Sequence, residues 1–162
     1  MELTEIQTAT VITHAELLHH WLGHRALTRR VIAAFPEKEL LEFSIGGMRT
    51  FAGMVIELLA IGAPGLKQMA GGETEPLNEN VLEANSKANI LQLWDEATEL
   101  IKVYWDQIPE DRFHDKILAF GQYEGTIWFS IFYFIDNEIH HRAQGTVYLR
   151  SIGITPPYFY ER

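Results

Sequence analysis

Apolar positions along this chain recur at three- and four-residue spacing, the period of a helix with one buried face. Between Ile12 and Ala34 the residues Leu17, Leu18, Trp21, Leu22, Leu27, Val31 and Ile32 make one such stripe. Pro36 ends it, because proline has no amide hydrogen and disfavours helical geometry in the residue before it. Residues 37–44 read as a short connection, and Gly46-Gly47 punctuates it. A second helix is predicted from about Met48 to Ile61, stopped by Gly62, Pro64 and Gly65. Residues 71–85 hold Gly71-Gly72 and Pro76 and outrun the roughly 2–8 residues usual between bundle helices. The chain is therefore predicted to cross the length of the bundle there. A third helix starts near Ser86 or Asn89 and runs to Gln107, with Leu91, Trp94, Ala97, Ile101 and Tyr104 in its stripe. A polar loop from Pro109 to Lys116, reaching Tyr123 at most, leads to a fourth helix over about Glu124 to Ser151. Gly153 and Pro156-Pro157 form the expected Gly-then-Pro stop. Strand signals are few, and the pattern predicts an all-α four-helix bundle.

Length and composition narrow the function. With 162 residues, 47% of them hydrophobic, the chain suits one domain over residues 1–162 with a core that needs no staples. It has no cysteine, which excludes a disulfide framework, a Cys-type zinc site, an iron–sulfur cluster and a protein thiol nucleophile. The formal charge of −9 repels phosphate backbones, so no nucleic-acid partner is expected. The start Met1-Glu2-Leu3-Thr4-Glu5 lacks a secretory pattern, and the apolar run from Thr126 to Ile135 is far short of the roughly 20 residues that span a bilayer. No membrane partner and a cytoplasmic location are expected.

Several polar residues stand where chemistry could be placed. Glu57 is embedded in Met54-Val55-Ile56-Glu57-Leu58-Leu59. It is either on a narrow solvent face or buried with a cation, a hydrogen-bond set or a proton, since an unpartnered buried charge costs several kcal/mol. Asn137 and His141 are four residues apart on the fourth helix and project from one face. Asp136 and His140 repeat that spacing about 100° around the helix. Bundle metal sites are built from such inward carboxylates and histidines, while the plainer reading makes Asp136, Glu138 and His140 a solvated face and His141 a core histidine. His20 and His24 are another such pair, with His14 and His19 near, and read mainly as ordinary polar residues. No Ser–His–Asp context, phosphate loop or dinucleotide fingerprint is present.

The segment His140-His141-Arg142-Ala143-Gln144, followed by Tyr148-Leu149-Arg150, Gly153 and Pro156-Pro157, resembles the end of DinB-like proteins. Gly47-Met48-Arg49-Thr50-Phe51 is similar to the family's opening of its second helix, and the order of elements agrees over nearly the whole chain. The resemblance implies a bundle of up-down-down-up topology, commonly a homodimer. It also implies a divalent metal, held by one histidine on the second helix and two on the fourth. Related enzymes are transferases and isomerases that use small thiols such as bacillithiol, mycothiol or glutathione, which suits a chain without cysteine. The matching positions here are Glu57, Asn137 and His141, so only the last histidine is retained. A site of that composition would hold zinc or nickel weakly, because an amide oxygen is a poor neutral donor.

The resemblance thus implies a metal-assisted, thiol-dependent transferase acting on small electrophiles, with Glu57, Asn137 and His141 as a degenerate metal triad. The alternative is a non-catalytic, stress-related or ligand-binding bundle that has lost its metal. The expected partners are a small-molecule substrate or a low-molecular-weight thiol. A homodimer is expected as well, because the apolar residues from Ile127 to Ile135 go all the way round their helix.

Overall fold

The computed structural model describes residues 10–81 and 83–162, so the Met1–Glu5 start lies outside the described residues. Helix α1 spans His14–Ala34 and opens on a capping box, in which the Thr13 hydroxyl accepts from the Glu16 amide and the Glu16 carboxylate accepts from the Thr13 amide. Its stop before Pro36 is as expected, but Pro36 then caps a short helix α2, Glu37–Glu42, where a plain connection was predicted. Proline is well suited to a helix start, and Leu40 anchors this turn in the core.

Helix α3 covers Phe51–Met69, capped by Thr50, and it runs straight through the predicted stop at Gly62, Pro64 and Gly65. Pro64 faces solvent while Ala63, Gly65, Leu66 and Met69 are buried. Packing of that turn into the core outweighs the roughly 3 kcal/mol that an interior proline costs. After the long connection, α4 spans Lys87–Trp105 with Ser86 as its cap. The predicted polar loop is structured instead. It holds a 3₁₀ turn at Glu110–His114 and a hairpin of β1, Lys116–Ala119, and β2, Tyr123–Thr126, with Ala119 opposite Tyr123. Phe120 and Gly121 both take left-handed backbone angles at the hairpin turn. Four-residue strands carry too short an alternation to stand out in a helical sequence. Helix α5, Ile127–Ser151, therefore starts three residues later than expected, capped by Thr126.

The four long helices form the expected bundle, with α1 and α3 each packed along both α4 and α5. Their directions follow from end-to-end contacts. Trp105, at the end of α4, donates to His14 at the start of α1, and Lys87, at the start of α4, reaches the Phe35 carbonyl at the end of α1. Tyr148 near the end of α5 donates to the Arg49 carbonyl just before α3. Trp21 and His24 of α1 meet Glu138 and Arg142 of α5 in rising order, so those two helices are parallel. The order is up-down-down-up. Among the described residues no helix is long and apolar enough to cross a membrane.

The core is two apolar clusters with a polar layer between them. One is built around Leu17, Trp21, Ile101, Trp105 and Phe134, the other around Val31, Phe51, Val55, Trp94 and Tyr148. Between them, Glu138 is only 2% exposed and accepts from Trp21 and Thr28, with Arg25 and Arg142 within 4.0 Å. This corrects the reading of Glu138 as a solvated residue. Arg25 lies 3.4 Å over the Trp94 ring and donates to Thr98 and the Trp94 carbonyl, which explains how a cation survives at this depth.

Candidate functional site

Helix α5 carries two polar faces at the level of that layer. Glu138 and Arg142 turn towards α1, whereas Asn137 and His141 meet α3 at Glu57. The Asn137 amide donates to Glu57 Oε1 at 3.0 Å, and His141 Nε2 lies 3.2 Å from the same oxygen. Glu57 and His141 are each 12% exposed, so Glu57 is neither on a solvent face nor buried alone. Its second oxygen is taken by Arg49, the residue before the Thr50 cap, whose guanidinium also donates to Glu79 at 2.7 Å. On its far side, His141 Nδ1 lies 2.8 Å from Gln144 Oε1. The three positions picked out by motif spacing do converge.

Burial opposes ionisation of Glu57, but the donors Asn137 and His141 and the charges of His141 and Arg49 together outweigh it. Its carboxyl is held below the usual glutamate range. The group is thus ionised and a weak base.

The fit to a divalent metal can be tested on these contacts. A metal needs lone pairs on imidazole nitrogen, amide oxygen and carboxylate. Here His141 Nε2 is directed at Glu57 Oε1, with Nδ1 against the Gln144 amide oxygen. Asn137 turns its nitrogen to Glu57, and the Arg49 cation sits on the remaining carboxylate oxygen. Among the described residues no three His, Cys, Asp or Glu side chains are grouped to hold an ion. The donor set does not fit a resident metal.

Other candidates fall elsewhere. Asp136 and His140 are exposed, and His140 meets the site only through its ring, 5.2 Å from that of His141. His24, read from the sequence as an ordinary polar residue, is buried. Its Nδ1 lies 3.0 Å from Arg142, and its Nε2 lies 2.9 Å from Arg162 and 3.2 Å from His20. Burial first, then Arg142, His20 and Arg162, push its pKa down to about 3. Arg49 and Glu79 were missed as site residues. Arg49 stood in the quoted motif, but its reach to Glu57 and across to the crossover is a tertiary fact.

Beside Glu57 opens a cavity of about 600 Å³ between α3, α5, the crossover and the hairpin. Ile61, Phe120 and Phe134 line its interior, while Tyr123, Phe129 and Tyr133 stand at its exposed edge. A half-open apolar chamber with a few convergent polar groups is the usual form of a small-molecule site.

Fold and site together define a helical-bundle protein with a half-open chamber beside Glu57. The DinB family model matches residues 6–162, and the chain belongs to that family. A DinB-like protein from Bacillus cereus ATCC 10987 is 16% identical, with a TM-score of 0.73 over 90% of this chain and 97% of that one. A DinB-like protein from Bacillus subtilis is 18% identical, with a TM-score of 0.71 over 90% of this chain and 99% of that one. These likenesses extend to the fold. No curated protein matches the sequence.

Proposed function

We propose that this DinB protein binds a small organic molecule in the chamber beside Glu57, and that the Glu57–Asn137–His141 cluster replaces a metal centre there. One observation carries the reading. Glu57 lines the chamber while its carboxylate is already satisfied by Asn137, His141 and Arg49. Such a carboxylate orients a polar ligand group without needing a cation of its own. It is also a poor proton acceptor, because a base works best with a pKa near the operating pH. Thiol transfer, which the family resemblance implies, would then depend on His141 to take the thiol proton after its Nε2 leaves Glu57. The geometry favours binding over that catalysis.

Isothermal titration with zinc and with nickel tests the metal-free reading. The wild type should show no saturable binding at micromolar metal. The double variant Glu57→His, Asn137→His should bind, since it joins two imidazoles to His141 and removes the carboxylate that holds Arg49. Stoichiometric metal uptake by the wild type would overturn the reading.

A further inference from the structure

The chamber's walls carry two features that point the same way. Three carboxylates line it, Glu57, Glu79 and Glu124, against the single guanidinium of Arg49. Arg49 is spent on Glu57 and Glu79, and Glu124 has no ion-pair partner among the described residues. His141 pairs with Glu57 and is not among the lining residues. The second feature is aromatic. Phe120 and Phe134 are 5% and 4% exposed at the floor, and Tyr123, Phe129 and Tyr133 are half or more exposed at the rim. Ring faces attract cations, and the best ligands for such a setting are diffuse, weakly hydrated ammonium groups. An anion would have to break the Arg49 pairs and then face Glu124.

We infer that the chamber is selective for an organic cation, an alkylated ammonium on an apolar body, held by the aromatic rim and the uncompensated carboxylate of Glu124. This rests on the proposed small-molecule role of the chamber and names the ligand class. A primary ammonium would fit less well, because its tighter hydration shell must be stripped against a mainly apolar wall. Phe120 and Phe134 would take the apolar body, while Glu57 stays engaged with its own donors.

Three probes of one shape separate the outcomes by NMR titration: benzyltrimethylammonium, its neutral isostere neopentylbenzene, and phenylmethanesulfonate. The cation should bind about tenfold more tightly than the neutral isostere, and the sulfonate more weakly than either. Glu124→Gln and Tyr123→Leu, both at exposed positions, should each weaken the cation by roughly three- to tenfold and leave the neutral probe unchanged. Equal binding of cation and neutral isostere would overturn the charge selectivity and leave the chamber as a binding site. Tighter binding of the sulfonate would reverse the inference and make Arg49 the anchor. Binding of none of the three would sink the inference and the proposed function together.

Discussion

Single residues show how much the surroundings decide what a side chain does. Glu57 and Glu138 are both glutamates on apolar helices, yet one borders an open cavity and the other is locked in the bundle interior. His24 is the clearest case. Its depressed pKa means that the folded protein holds it neutral, while the unfolded chain takes up a proton below about 6.5. Between that value and about 3 the unfolded state binds more protons, so stability must fall as the pH is lowered through this window. The loss from this residue is at most about 1.4 kcal/mol per pH unit. Its ring is faced by Arg142, Arg162 and His20, none of which supplies a carboxylate to welcome the proton. Urea unfolding at pH 7, 6 and 5 should therefore give a shallower decline for His24→Gln than for the wild type. Parallel declines would show that His24 does not titrate in this way.

At the level of elements, close approach of helices explains what the stripes alone did not. A Cβ added at Gly145 of α5 would sit 2.4 Å from the Phe51 ring, which is itself stacked on Phe35 at 4.9 Å and has no room to retreat. At Gly62 of α3 the nearest side-chain atoms, from Ile101 and Trp21, would be 3.6 Å away, an ordinary contact. Opposite signs follow for the same substitution. Gly145→Ala should cost about 1–3 kcal/mol through overpacking, less the roughly 1 kcal/mol gained in helix propensity. Gly62→Ala should stabilise by up to about 1 kcal/mol. Denaturant midpoints of the two variants decide it, and a stabilised Gly145→Ala would mean that α5 can shift away from α3. The same logic carries α3 past Pro64, whose ring faces solvent while its neighbours anchor the turn.

For the whole molecule, the aromatic excess of α5 divides in two. Trp128 is half-buried with its ring 6.5 Å from that of Phe113 in the 3₁₀ turn, so the loop covers part of it. Phe129 and Tyr133 remain 63% and 53% exposed at the chamber rim. Adjacent exposed aromatics are a frequent mark of interface cores, and we propose that a second copy of the chain packs over them as a homodimer and narrows the chamber mouth. Light scattering should give twice the monomer mass at micromolar concentration, and Phe129→Asp should return the monomer. A wild-type monomer that persists on concentrating the sample refutes the dimer.

Periodicity, caps and prolines determined the four helices and the long crossover, because amphipathic stripes and helix stops are local physics repeated over many residues. The motif positions also singled out Glu57, Asn137 and His141, since i, i+4 spacing places two of them on one face before any packing is known. What the three side chains do there was decided by the tertiary structure alone. Arg49 takes up one Glu57 oxygen, Asn137 turns its amide nitrogen to the other, and Gln144 fixes the far side of the His141 ring. The buried Glu138 layer, the hairpin and the continuation of α3 through Pro64 belong to the same class. Each depends on partners distant in sequence or on burial that offsets a local cost, and hydrophobic spacing records neither.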